Sequence, residues 1–406
     1  MRSHIDNSAR RLRVLHVLPS LNPGGMERGV VRLLQHAVAT PNHGIDHAVC
    51  VLRGGDASLL AECRRFARTW QLGELNDDGS LPNRGAWRGL RRVIGLCRPD
   101  IVHARSTGVW MDAALATLAN AHTRLLLAFH GREQLEPISR LRIQRHRMSV
   151  RMADAVLSVS HHAAAMLINE WRIASNRLRV VHDGVDTDTC RPAVGNHEKF
   201  AMRARLSLPS DARVAVCVAN HVPIKALDVL ITAWRQTAMA VPGARLLLVG
   251  DGPLRRNLEA LSRKLRCEPS VRFLGRREDV PDILRAADLF VLPSHYEGTS
   301  NAVQEAMATG LPIVATDVGG MRDVVTPHVT AWLASPGSAE MLALNMINLF
   351  NDNADAQAMG DEARKEAVDQ FSMDVWLRRH AALYHELALK PVDRAQPQTE
   401  ALTCAG

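Results

Sequence analysis

Six short apolar runs rich in β-branched residues mark the first half of the chain: RVLHVL, HAVCVL, DIVHA, RLLLAFH, AVLSVS and RVVHD. Five more follow in the second half, RVAVCVAN, ARLLLVG, VRFLG, LFVLPS and LPIVAT. Runs this apolar leave no polar face for water, and each precedes an amphipathic segment; that is the pattern of parallel strands covered by helices on both sides. The alternation, repeated in two halves, predicts an α/β chain of two doubly wound, Rossmann-like domains. A length of 406 residues agrees, because it exceeds what one core ordinarily supports. The polar stretch VDTDTCRPAVGNHEK, Val185 to Lys199, interrupts the pattern and places the boundary, with residues 1–190 in the first domain and 191–372 in the second. FSMDVWLRRHAALYHELAL supplies a closing helix, 373–390, expected to pack back on the first domain, and residues 391–406 read as a disordered tail.

In open parallel sheets, ligands bind outside the carboxyl ends of the strands. PSLNPGGMERG and FHG follow strands of the first half, and ANHVPIK, VGDGP, FLGRRED, PSHYEGTSN and TDVGG follow strands of the second, so every glycine-rich turn is expected to face one cleft. Within HYEGTSNAVQEAMATGLPIVATDVGG, Gly298 permits close backbone approach, and Thr299, Ser300 and Asn301 open a helix whose first N–H groups suit a phosphate. Glu297 can accept hydrogen bonds from sugar hydroxyls, and Glu305 from a ribose diol. A capped surface helix with two solvated carboxylates is the plain alternative for this stretch alone.

Charge and cysteine content narrow the classes. The net charge is +8, and the excess lies wholly in the first half, with 26 basic against 17 acidic residues from Met1 to Cys190. Aromatics are only 4%, too few for base-stacking platforms, so no nucleic-acid partner is expected; a basic face toward phosphates or an anionic membrane is the simpler reading. RGAWRGLRRVIGLCRPD and SRLRIQRHRMSVRM carry that charge, the first with Trp87, Leu90, Ile94 and Cys97 at helical spacing toward the core and Arg84, Arg88, Arg91 and Arg92 on other faces. The second adds Arg140, Arg142, Arg145, Arg147 and Arg151. Seven cysteines without a CxxC suggest neither a zinc site nor a disulfide framework, and a reducing cytoplasm fits. VLHVLPSL lacks a cleavage site and no 18-residue apolar span occurs, so a cytoplasmic protein, peripheral on the inner membrane face at most, is expected.

These motifs together resemble the retaining glycosyltransferases of GT-B fold in family 4. Glu297 and Glu305 form the EX7E pattern, and the resemblance extends over almost the whole chain, through GGMERGVVRLL, PDIVHARS, ADAVLSVS, HDGVDTD, VPIKALDVLITAW and LLLVGDGP to the long block from Val271 to Gly320. The GGMER opening and the IVHAR strand end are similar to subgroups that build exopolysaccharides. The resemblance implies a metal-independent enzyme that needs no cofactor and moves a sugar from a nucleotide diphosphate sugar to a lipid-linked or glycan acceptor. It implies that Glu297 binds donor-sugar hydroxyls, that Glu305 binds the ribose, and that the amides from Gly298 through Thr299 and Ser300 to Asn301 hold the diphosphate and sugar. Lys225 looks like the residue that neutralises the leaving group, Gly24 and Gly25 match the loop near the donor phosphate, and His130 resembles the histidine beside the transferred sugar.

Two departures stand out. Where relatives pair an arginine with the lysine, this chain reads ANHVPIKA; Asn220 and His221 occupy the neighbouring positions, and Ala226 replaces a glycine. Asp183 takes the place of an asparagine. The missing charge raises a catalytically weak or inactive nucleotide-sugar-binding protein as the alternative. DTD, Asp186 to Asp188, lies at the linker rather than at a strand end beside the donor, and His161 and His162 point in different directions on a helix start, so no metal is expected at either. A hydrolase using the two glutamates leaves the other strand-end turns unexplained, and GGMERG is not the dinucleotide GxGxxG fingerprint.

Overall fold

A computed structural model describes residues 10–22, 24–40, 44–73, 85–120, 122–131 and 138–389. The expected tail at 391–406 and Arg84 lie outside the described residues. The first domain runs β1 (Leu12–Leu18), α1 (Gly25–Ala39), β2 (Ile45–Val51), α2 (Ala57–Phe66), β3 (Arg68–Gln71), α3 (Ala86–Cys97), β4 (Ile101–Ala104), α4 (Trp110–Thr117), β5 (Arg124–Phe129), α5 (Arg140–Met152), β6 (Ala155–Ser158), α6 (His161–Asn169) and β7 (Leu178–Val180). The second runs α7 (Gly195–Arg205), β8 (Val214–Val218), α8 (Leu227–Ala240), β9 (Arg245–Val249), α9 (Arg255–Lys264), β10 (Val271–Gly275), α10 (Val280–Ala286), β11 (Leu289–Leu292), α11 (Asn301–Ala308), β12 (Ile313–Thr316), β13 (Ala331–Ala334), α12 (Ala339–Asn351) and α13 (Asn353–Phe371). All strand pairs are parallel, in the orders β3-β2-β1-β4-β5-β6-β7 and β10-β9-β8-β11-β12-β13. This is the GT-B architecture of two Rossmann-like domains.

Two short strands escape the sequence pattern. β3, RTWQ, is an edge strand with no fully buried residue, and β13, AWLA, spans four residues at the other sheet's edge. In α3, Leu90 and Ile94 are buried as their spacing requires, together with Val93, whereas Trp87 and Cys97 are only half-buried.

Strand order reverses between β1 and β4 in one sheet and between β8 and β11 in the other. Loops leaving neighbouring strands at such a reversal diverge to opposite faces and open a crevice. The segments after these four strands carry Gly24–Gly25, Arg105, Lys225 and Glu297.

The final helix, α14 (Met373–Leu389), belongs to the second half of the chain but packs on the first domain. Trp376, Leu377, Leu383, Tyr384 and Leu387 are buried with Val14, Leu33, Ile101, Leu126 and Leu157. Val185 anchors the crossing: its N–H donates to Phe371 O at 2.7 Å, and Met373 N donates back to Val185 O at 3.1 Å. Gly184 is obligatory there, because a Cβ would stand 2.7 Å from that of Trp376.

Candidate functional site at the interdomain cleft

The floor of the second domain's crevice is a carboxylate locked to a lysine. After β8 the chain makes a 3-10 turn, Pro223–Lys225, and passes through Ala226 in the left-handed region at φ 48° before α8 begins. His295 N donates to Ile224 O at 2.8 Å, tying this turn to the segment after β11. Lys225 Nζ thereby meets Glu297 Oε1 at 2.6 Å, and Ser294 Oγ donates to the same oxygen at 2.5 Å. Glu297 is only 4% exposed, so the lysine and hydroxyl stand in for water around its charge. Its carbonyl accepts from Gly320 N at 2.9 Å, and Gly319 and Gly320 lack side chains where a Cβ would overlap the backbone of Glu297 and Gly298. Ser300 caps α11 by accepting from Val303 N at 3.4 Å.

Across the cleft, the first domain presents His130 and Gly131. Gly131 has φ +92°, and a Cβ on it would lie 2.9 Å from Gly298 Cα; a Cβ on Gly298 would overlap the His130 carbonyl oxygen. The neighbour that excludes a side chain at Gly298 is therefore the opposite domain's backbone. His130 Nδ1 stands 3.9 Å from Asp183 Oδ2, which accepts from Thr299 Oγ1 at 3.0 Å. Gln304 Nε2 donates to the Asp183 carbonyl at 2.9 Å. Asp183, without a derivable role in sequence, is thus an acceptor between the domains.

Helix α1 closes the other side. Its cap residue Gly24 makes no side-chain hydrogen bond, and the Glu27 carboxylate folds back over it. Asn301 Nδ2 donates to Gly25 O at 3.2 Å, so the Gly24–Gly25 loop touches the start of α11. Glu305 binds Arg32 Nη1 at 2.8 Å. Burial opposes the arginine's charge, yet the carboxylate outweighs it and the Arg32 pKa is raised. Asn220 lies exposed where the chain leaves β8.

The structure brings together Glu297, Lys225, His130, Gly25, Gly298, Thr299, Asn301 and, one helical turn on, Glu305. Sequence reasoning missed Ser294, Arg32 and Arg105; a serine three residues before a candidate glutamate was the only available hint among them. Separately, His161, His182 and Asp323 place one ligand atom each within 4.8 Å of one another. His182 Nδ1 bonds to Val159 O at 2.9 Å and Asp323 Oδ2 accepts from His162 N at 3.1 Å, and this group could hold a transition-metal ion apart from the glutamate–lysine pair.

Residues 198–366 match the family model for glycosyl transferases group 1, and residues 23–189 that for glycosyltransferase family 4. The D-inositol 3-phosphate glycosyltransferase of Thermobispora bispora is 30% identical over 334 residues, 76% of this chain and 76% of that protein. The sulfoquinovosyl transferase SQD2 of Arabidopsis thaliana is 28% identical over 312 residues, 70% of this chain but 59% of its own length, so the match leaves over a third of that relative uncovered. Among solved structures, Anabaena Alr3699/HepE in complex with UDP superposes with a TM-score of 0.80 at 21% identity, covering 93% of this chain and 100% of that one. At that identity the likeness concerns the fold.

Proposed function

Because this chain belongs to the group 1 glycosyl transferases of family 4, we propose that it is a retaining glycosyltransferase, moving a sugar from a nucleotide diphosphate sugar to a lipid-linked or polysaccharide acceptor in cell-surface or exopolysaccharide synthesis. The observation that carries the reading is the pairing of buried Glu297 with half-buried Lys225 at 2.6 Å, set at a strand-order reversal beside the start of α11 and across from His130. Lys225 and the N–H groups from Gly298 to Asn301 meet charge as it develops on the departing diphosphate, and no reorganisation is needed at that moment. Glu297 orients the sugar hydroxyls, and Glu305 the ribose. The departing phosphate takes the acceptor proton on the face it leaves, which keeps the anomeric configuration without a metal.

The test is a thermal-shift screen against UDP, GDP and ADP sugars, followed by NMR of the product's anomeric proton with a membrane extract as acceptor. A donor that stabilises the protein and yields a product of retained configuration supports the reading; an inverted product removes the retaining mechanism. The absence of the second cation in ANHVPIKA favours one alternative, a nucleotide-sugar-binding protein with little turnover; donor binding without product in any extract would establish it.

The acceptor is proposed to lie at an anionic membrane. α4 packs between α3 and α5. Their outer surface exposes Arg88, Arg91, Arg92, Arg140, Arg142 and Arg145 alongside Leu96 at 61%, Leu118 at 52%, Leu141 at 73% and Met148 at 55%. Cationic side chains interspersed with exposed apolar ones suit a lipid interface better than bulk water. Among the described residues no helix is long and apolar enough to cross a membrane.

A further inference from the structure

Arg105 follows β4 at the first domain's strand-order reversal and is 2% exposed. Its Nε donates to His16 Nδ1 at 3.2 Å, and its guanidinium carbon lies 5.8 Å from the Trp376 ring centroid. Nη2 is buried with no hydrogen-bond partner. Among the described residues, no carboxylate pairs with this guanidinium. Its histidine neighbours are neutral: His16, His103 and His380 are wholly buried, and burial, followed by the charge of Arg105 itself, holds their pKa values well below the ordinary 6.5; the Asp183 carboxylate, which lines the same pocket, favours the cation without forming an ion pair with it. Burial pushes Tyr384 up to about 12. A buried charge without a paired counter-charge is costly, and burial lowers the Arg105 pKa in spite of Asp183.

The guanidinium lines a narrow pocket with Gly25, His130, Asp183, Asn301 and Trp376. Its volume, about 10 Å³, is the room of one oxygen atom. α1 begins at Gly25 and α11 at Asn301, so the positive ends of two helix dipoles reach the same pocket. We propose that Arg105 is an anion-binding residue whose ligand is a phosphate oxygen held in the pocket that Gly25 and Asn301 line, and that it supplies from the first domain the second positive charge that ANHVPIKA lacks. The proposal rests on the glycosyltransferase reading for the source of that phosphate, which is either the donor diphosphate or a phosphate on the acceptor.

The experiment compares the full-length wild type with Arg105→Gln and Arg105→Lys. Inorganic pyrophosphate should raise the melting temperature of the wild type clearly more than that of Arg105→Gln, whatever the donor, since Lys225 and the α11 amides remain in the variant. Calorimetry with UDP, GDP and ADP and their nucleosides then separates the sources. If the donor supplies the phosphate, Arg105→Gln binds the nucleoside diphosphate about 10- to 100-fold more weakly, with nucleoside affinity unchanged and Arg105→Lys in between. If the acceptor supplies it, nucleotide affinity is unchanged, and inorganic phosphate added at saturating nucleotide still stabilises the wild type alone. A pyrophosphate response that depends on Arg105, without binding of any nucleotide, keeps the anion site and sinks the donor reading. Equal responses of wild type and Arg105→Gln to every phosphate probe overturn the proposal. So does an Arg105→Gln melting temperature well below that of the wild type in anion-free buffer, because the arginine would then be a strut for His16.

Discussion

Lowering the pH from 6.5 to 5.5 should cost this protein much of its stability. His16, His103 and His380 are wholly buried, and burial is the leading cause that depresses each below its ordinary 6.5. His146, stacked on Trp171 with ring centroids 5.0 Å apart, is lowered to about 4 by burial and by the nearby Arg142 and Arg145. Between its folded pKa and 6.5 each of these imidazoles is protonated in the unfolded chain and neutral in the folded one. Stability therefore rises with pH inside that window and is constant above it, at up to ~1.36 kcal/mol per pH unit for each histidine. Four together give at most about 5 kcal/mol per unit, a large share of the ~5–15 kcal/mol that holds a typical domain. Most carboxylates titrate lower, at about 4, so this window isolates the histidines. Urea denaturation followed by far-UV circular dichroism at half-unit steps from pH 7.5 to 5.0 measures the slope, to which His182 and His221, also lowered by burial, add; His380→Gln should reduce it by up to ~1.36 kcal/mol per pH unit, the share of one site. A denaturation midpoint that stays level from pH 6.5 to 5.5 would refute the reasoning, since the imidazoles would then accept protons while folded.

Lys225→Ala should lower kcat on the order of 10² or more, because the lysine meets charge that appears only in the transition state; near wild-type turnover of the donor would move that role elsewhere. Glu305→Ala should weaken nucleotide binding by roughly 1 to 3 kcal/mol, and a double-mutant cycle with Arg32→Ala separates the ribose contribution from the 2.8 Å ion pair; unchanged affinity by calorimetry would remove the ribose assignment. Ala226→Gly should stabilise the fold by up to about 1 kcal/mol, because Ala226 is held at φ 48° where glycine carries no Cβ penalty; a lower urea midpoint would contradict this. Liposome flotation should require anionic lipid, fall with salt, and weaken when Arg140, Arg142 and Arg145 are neutralised together. Equal recovery with neutral liposomes, or none with either kind, would favour a soluble acceptor.

The alternation of apolar runs with amphipathic segments was enough to specify two parallel α/β domains, because strands buried on both faces can contain few polar residues and so announce themselves. β3 was silent because none of its four residues is fully buried, and β13 because only its two alanines are. The glycines and carboxylates at strand ends were equally legible, because local turn geometry and helix starts demand particular residue types in the sequence itself.

What the sequence could not determine is which distant groups meet. Arg32 and Glu305 lie 273 positions apart, and Thr299 and Asp183 lie 116 apart. Gly298 looked like a site of close ligand approach, and only the packed domains show the His130 carbonyl against it. Arg105 reads as one of many arginines in the basic half; the sheet order that sets β4 beside β1, and the return of α14 carrying Trp376, His380 and Tyr384, decide that it is buried without a paired carboxylate. Local propensity acts over a few residues, whereas burial and charge pairing depend on the whole chain's path, and that path is where the chemistry of this cleft is decided.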